Sequence, residues 1–272
     1  MRRIDKMLGW KLTRRELFRT TGALVGASAL AIPGLALAAG SGGTGTGPGS
    51  GGSPNTPPPP PVSSGNAPVT ATSDGITITT QESAFMRPGL SVSGAVPGSD
   101  AGDTVEIDQL GTGGNATWVP VATTTAQSGG SFAATWRPSH SGQMTLRATI
   151  TGAQALSATA APSVSVTVYR RSTATLYGPG FYGHRTACGQ RLRRWTVGVA
   201  NRTLPCGTPI QIYYKGLVIT VPVIDRGPYA HGVNWDLTMA TGRALGIEGT
   251  TVIGAAALPP APTGSGTTQA VP

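Results

Sequence analysis

Between Ala67 and Arg170 apolar and polar residues alternate in short runs, and a period of two predicts β-strands rather than helices. The runs are Val69-Thr-Ala-Thr, Ile76-Thr-Ile-Thr-Thr, Leu90-Ser-Val-Ser, Val105-Glu-Ile-Asp, Phe132-Ala-Ala-Thr-Trp136, Met144-Thr-Leu-Arg-Ala-Thr-Ile150 and Val164-Ser-Val-Thr-Val168. Turn-forming groups separate them: Ser73-Asp74-Gly75, Pro97-Gly98, Gly113-Gly114 and Ser128-Gly129-Gly130. About seven strands in roughly 100 residues, with no helical stripe, predict an antiparallel sandwich with Trp118 and Trp136 in its core. Further on, Ile210-Gln-Ile-Tyr-Tyr and Leu217-Val-Ile-Thr-Val-Pro-Val-Ile meet at Lys215-Gly216 and predict a hairpin. The second of these strands runs into Asp225-Arg-Gly-Pro, whose turn chemistry places a carboxylate at a strand end. Thr238 to Leu245 predicts a short helix stopped by Gly246. The fold class is therefore mainly β.

Composition then divides the chain. Its 272 residues include 40 Gly and 23 Pro, and only 11% are charged. Residues 40–65 alone hold nine of the glycines and seven of the prolines, so this stretch reads as a flexible Gly/Ser/Thr segment followed by stiff polyproline at Pro57 to Pro61. The rest has room for one or two compact domains, and the scarcity of charge argues against a coiled coil. Charge is uneven too. Residues 1–39 carry net +5, residues 40–169 net −3 and residues 170–272 net +7 of the overall +9. A basic C-terminal part suits a polyanionic partner without choosing among nucleic acid, teichoic acid and peptidoglycan. Asp100, Asp103, Glu106 and Asp108 lie on a strand-like stretch without the spacing of a calcium loop, and a solvated strand face is the expectation for them. No metal or cofactor is expected: two Cys and scattered His show no ligand spacing. Gly40-x-Gly42-x-x-Gly45 and Gly178-x-Gly180-x-x-Gly183 lack the strand and helix that a dinucleotide fingerprint needs.

The N-terminus reads as an export signal. Arg14-Arg15 precedes a mild apolar stretch from Gly22 to Leu37, with a small-x-small pattern at Ala36-Leu37-Ala38. This resembles a bacterial twin-arginine signal and implies residues 1–38 as signal peptide and 39–66 as linker. The mature protein is expected to be secreted or wall-associated, without a stable membrane span. Export makes nucleic acid an improbable partner. Cys188 and Cys206 are the only cysteines, and their even count in an exported chain favours a disulfide worth roughly 3 kcal/mol in the loop-entropy account. A thiol nucleophile beside His184 or His231 is the other reading.

The chemistry gathers in residues 171–258. There the sequence carries Thr175-Leu-Tyr-Gly-Pro-Gly-Phe-Tyr-Gly, Arg185-Thr-Ala-Cys-Gly-Gln, Asn201-Arg-Thr-Leu-Pro-Cys-Gly-Thr208, Val223-Ile-Asp-Arg-Gly-Pro-Tyr229 and Trp235-Asp-Leu-Thr-Met-Ala-Thr-Gly-Arg-Ala-Leu-Gly246. In this order the motifs resemble the six-stranded double-psi β-barrel of the rare lipoprotein A family, a fold shared with expansins and family 45 endoglucanases. Residues 67–170 likewise resemble the immunoglobulin-like modules of secreted bacterial proteins, a spacer or wall-binding domain, and 259–272 read as a disordered tail. The barrel resemblance implies action on peptidoglycan glycan strands, with other wall polymers as further partners, and a lytic transglycosylase reaction. Such a reaction needs one acid/base carboxylate: it protonates the leaving oxygen and then takes a proton from the sugar's own C6 hydroxyl.

Only Asp225, Asp236 and Glu248 offer carboxylates in this part. Asp225 is the first candidate acid/base, with a salt bridge to Arg226 or a turn-stabilising side-chain contact as its plainer role. Asp236 is the second, with a helix cap as its plainer role. Glu248 is expected at the surface. Tyr177, Phe181, Tyr182, Tyr229 and Trp235 are candidates for stacking on sugar rings, against barrel packing. Gln190, Asn201 and Arg226 are candidate hydrogen-bonding contacts, and Arg185, Arg191, Arg193 and Arg194 suit wall carboxylates or phosphates. Catalytic members of the resembled family commonly carry Glu and His where this chain has Gln190 and Asn201, replacements that keep hydrogen bonding but remove titration. The alternative function is accordingly a non-catalytic, expansin-like wall-binding or wall-loosening protein.

Overall fold

The structure, a computed structural model, describes residues 61–111, 117–151 and 161–260. The segment with Arg14 and Arg15, most of the Gly- and Pro-rich stretch, the Gly113-Gly114 turn and the tail beyond Pro260 lie outside the described residues. Among the described residues no helix is long and apolar enough to cross a membrane.

A two-residue strand, β1 (Ser63–Ser64), comes first. Two facing sheets follow. One has the order β2 (Pro68–Ser73), β3 (Ile76–Gln81), β5 (Leu90–Ala95), β8 (Ser131–Trp136). The other joins β4 (Ser83–Phe85) to the first half of β10 (Ser163–Tyr177), then β9 (Gly142–Thr151), β6 (Thr104–Leu110) and β7 (Trp118–Thr125). The alternation seen in the sequence builds the space between them. Ile78, Val92, Ile107, Leu146 and Val166 are fully buried in one cluster, while the intervening Ser91, Ser163 and Ser165 face water. Each such aliphatic side chain contributes about 1.5–3 kcal/mol on burial.

All seven expected runs are strands, and β4 and β7 are additional. β7 carries Pro120, which reads against a strand because it cannot donate to a ladder. It is tolerated because β7 pairs with β6 alone, at the sheet edge, and the register shifts between Ile107 and Asp108 where Pro120 stands opposite. Trp136 is buried as expected; Trp118 is only half-buried, its ring 4.3 Å below the Arg147 guanidinium.

Asp108 corrects the expectation of a solvated acidic face. It is 4% exposed and accepts from Arg147 Nε at 2.9 Å. A charge is retained inside the sheet because the partner strand β9 places a guanidinium directly opposite, Asp108 being in register with Arg147. Asp108→Asn is expected to lower the unfolding free energy by about 3 kcal/mol, since one member of a buried pair loses its counter-charge. Urea unfolding followed by tryptophan fluorescence checks this; a change below about 1 kcal/mol would show the pair to be energetically idle.

β10 is the hinge of the architecture in the literal sense of being shared. Residues 163–168 pair with β9, and residues 170–174 pair with β15 (Thr251–Ala257). The boundary expected at residue 170 therefore falls inside one continuous strand. From β10 the second body closes as a ring: β10, β14 (Trp235–Thr238), β11 (Val199–Ala200), β13 (Leu217–Asp225), β12 (Pro209–Tyr214), β15 and back to β10. This is the expected six-stranded barrel, with Ile210, Ile212, Ile219, Leu237 and Ile253 in its core. β12 and β13 form the expected hairpin. β15, rich in Ala and Gly, carries little strand propensity of its own, and pairing on both edges supplies what the sequence lacks.

One helix, α1 (Met239–Leu245), follows β14. Thr238 caps it by accepting from Thr241 N, and Gly246 ends it in the left-handed conformation at φ 70°. The end of the stretch expected as linker, 39–66, is tied to the barrel. β1 pairs with β13, Gly65 N donates to Gly216 O at 2.8 Å, and Tyr213 Oη donates to Asn66 Oδ1 at 2.8 Å, so residues 63–66 belong to the barrel's hairpin.

Candidate functional site

Three strands set the site. In the barrel order β14–β11–β13, β11 lies between the strands that carry the two acids, and Ala200 is in register with Asp236 on one side and Asp225 on the other. Two inter-strand spacings separate the acids by about 10 Å at the backbone.

Asp225 ends β13 and is held by backbone. Its Oδ1 accepts from Ala187 N at 2.8 Å and from Arg226 N at 2.8 Å, fixing the plane of the carboxylate and leaving Oδ2 outside these contacts. The contact with its own neighbour's N–H is the turn-stabilising one expected. The alternative ion pair does not form: the Arg226 guanidinium donates instead to Asn201 O at 3.3 Å, to Asp225 O at 3.4 Å and to Cys206 Sγ at 3.4 Å. Arg226 thus braces backbone rather than presenting its charge to a ligand.

Asp236 stands in β14, not at the helix end. Thr238 has the capping role, so that plainer reading of Asp236 is overturned. Thr175 of β10, its register partner, donates its hydroxyl to Asp236 Oδ1. Burial, and then the negative charge of Asp225, push the Asp236 carboxyl above the usual carboxylate range. Asp236 is thereby biased to hold a proton.

Tyr177 lies two residues beyond Thr175 and so on the same face of β10. Its hydroxyl is buried with no hydrogen-bond partner, and burial, followed by the charges of Asp225 and Asp236, pushes it far up. Its ring packs edge-on against Phe181, with centroids 6.2 Å apart. Tyr177 is therefore a hydroxyl facing two acids more than a platform for a sugar ring.

The remaining expected contacts divide. Phe181 is 60% and Tyr229 79% exposed, open for stacking. Tyr182 is half-buried, with the Arg194 guanidinium 5.8 Å over its ring, and packs against Gly178, where an added Cβ would lie 2.9 Å from its hydroxyl and 2.8 Å from Met239 Cγ. This close approach, not a phosphate, accounts for Gly178. Trp235 is 8% exposed within the barrel core, so its ring offers no free face; alternation along β14 points Asp236 away from the core and Trp235 into it. Asn201 Oδ1 accepts from Leu204 N at 2.9 Å and Thr203 N at 3.1 Å, which commits that oxygen to its own turn. Gln190 is exposed in the turn that Arg185 closes by donating to Gly189 O at 2.7 Å. Glu248 is exposed, as expected.

Cys188 and Cys206 form the disulfide, with Cα atoms 5.7 Å apart, which removes the thiol-nucleophile reading. Cys188 directly follows Ala187, so the bridge pins the loop whose N–H meets Asp225. Two contributors escaped the sequence reading. Thr175 stood in a quoted motif, but only the parallel β10–β14 pairing reveals it as a donor to Asp236. The Ala187 donor is a backbone group, for which residue identity carries no signal.

The closed six-stranded ring is that of a double-psi β-barrel, and residues 170–256 form such a domain. They match the protein-family model described as "Lytic transglycolase". The chain is similar to the "Probable endolytic peptidoglycan transglycosylase RlpA" of Synechocystis sp., at 42% identity over 77 residues, 28% of this chain and 24% of that protein. The protein of the same description from Aquifex aeolicus is 38% identical over 81 residues, 29% of this chain and 36% of its own. The "Endolytic peptidoglycan transglycosylase RlpA" of Campylobacter jejuni is 34% identical over 67 residues, 24% of each chain. The chain thus covers about a quarter to a third of the length of these relatives, and the likeness is that of the barrel domain.

Proposed function

We propose that this protein is an exported lytic transglycosylase that cleaves the glycan strands of peptidoglycan at the Asp225–Asp236 site. The observation that carries the reading is the asymmetry of the two acids: Asp236 is biased toward its protonated form, while Asp225 Oδ1 is an obligate acceptor. Asp236 delivers its proton to the glycosidic oxygen as the C1–O bond breaks. The sugar's C6 hydroxyl then attacks C1, and its proton passes to a carboxylate, so the product carries a 1,6-anhydro ring and no water is consumed. Asp225, held by backbone N–H groups, faces the positive charge developing at C1 and offsets it. Phe181 and Tyr229 supply exposed ring faces beside the acids' loops. The sandwich serves as a spacer or as a second wall-binding surface, and the N-terminal twin-arginine pattern provides the export route.

Asn201 and Gln190 take no part in proton transfer in this scheme, consistent with the first being committed to its turn and the second being exposed. The acid roles rest on the Asp pair alone. Incubating the purified protein with peptidoglycan glycan strands, followed by mass spectrometry, is expected to yield 1,6-anhydro ends. Strand binding without any new ends would overturn the enzymatic reading in favour of a wall-binding barrel.

A further inference from the structure

Where the sandwich meets the barrel, the chain encloses a second polar site. A cavity of about 200 Å³ lies between the sandwich strands β2, β9 and β10 and the barrel strands β12 and β13, beside the aromatic cluster of Phe85, Tyr169 and Tyr213. Its wall includes Glu82, Ser83, Gln143, Thr167, Tyr169 and Gln211. Glu82 is the one charged residue lining it, and no Lys or Arg lines it. The Glu82 Oε1 atom is buried and without a hydrogen-bond partner. The Tyr169 hydroxyl on the same wall donates to Gln211 Oε1 at 2.6 Å, not to Glu82. Burial pushes the Tyr169 hydroxyl up to about 12, and the nearby Glu82 charge adds to that shift.

A buried carboxylate oxygen with no donor costs stability and is kept where something else supplies the donor. The surrounding hydroxyls and amide oxygens add further acceptors, the set that an –NH₃⁺ group with its three donors requires. The volume is several times the roughly 30 Å³ share of one water and below the 300–1,000 Å³ of common ligand sites, which suits an aminoalkyl chain. We propose that this junction cavity binds a primary ammonium group on a short alkyl chain, with Glu82 as its counter-ion. If the barrel acts on peptidoglycan, the source is the free amine of a wall peptide; that attribution rests on the function proposed above, whereas recognition of the ammonium does not.

Calorimetric titration of the full chain separates these points. Nα-acetyl-lysine amide, which keeps the side-chain amine, is expected to bind saturably, and Nα,Nε-diacetyl-lysine amide to bind at least tenfold more weakly. Glu82→Gln is expected to weaken the first probe at least tenfold while its Tm stays equal to or above that of the parent, because an unpaired carboxylate has been removed. Glu248→Gln, at an exposed site, leaves binding unchanged. Equal binding of both probes, undiminished binding by Glu82→Gln, or absence of a saturable signal overturns the site. A wall peptide that fails to compete with the bound probe removes the wall source alone. Anhydro-end formation, followed in the same preparations, reports separately on the barrel.

Discussion

Asp236→Asn is expected to slow formation of anhydro ends by about 10³-fold, within the range that general acid catalysis supplies, with the barrel still folded. The substitution keeps the acceptor for the Thr175 hydroxyl and removes only the transferable proton. Asp225→Asn is expected to cost a similar factor by a different route, and to move the Asp236 titration downward, because the Asp225 charge is the second cause of that shift. Activity should fall as pH rises through the raised value of Asp236, since the acid is lost on ionisation. The linkage to stability has the same direction. Below about pH 4 Asp236 is protonated both folded and unfolded, and its environment costs nothing. Above that the unfolded chain releases its proton first, so stability declines until pH has passed the raised folded value. Asp236→Asn removes this decline. Carboxyl NMR titration and Tm against pH check both claims; an Asp236 that titrates below Asp225 would reverse the assigned roles.

Removing the disulfide has the second large expected effect. Cys188→Ala with Cys206→Ala is expected to lower the unfolding free energy by about 3 kcal/mol, the loop-closure value for a bridge of this span, and Tm by roughly 10 °C or more. It should also reduce turnover per folded molecule. Cys188 anchors the loop that carries the Ala187 N–H, while the Arg226 guanidinium touches Cys206 Sγ and so ties the bridge to the residue after Asp225. Rates measured well below Tm separate the two effects. Lower stability with unchanged turnover would make the bridge a staple only, and Asp225 held without it.

Much of the β-architecture is legible locally. The period-two runs are strands because each can bury one face, and Lys215-Gly216 is a turn because Lys215 and Gly216 adopt positive φ of 48° and 85°. The cysteine pair and the short capped helix are equally local. Where the reading failed, a distant partner decided. Asp108 is buried because Arg147, 39 residues away, neutralises it. Trp235 and Asn201 looked like ligand contacts from their motifs, and strand alternation and turn capping claim them instead.

The sequence by itself determined that this chain makes strands, where they turn, which cysteines are available to pair, and that its few C-terminal carboxylates lie at Asp225, Asp236 and Glu248. Only the tertiary structure chose between them. Closure of the barrel puts β11 between β13 and β14, so the two aspartates flank Ala200 and the Asp225 charge helps raise Asp236, while Glu248 stays in water. The junction cavity around Glu82 is tertiary in the same sense. Propensity and turn preference act over a few residues, whereas desolvation and charge coupling depend on which distant strands become neighbours.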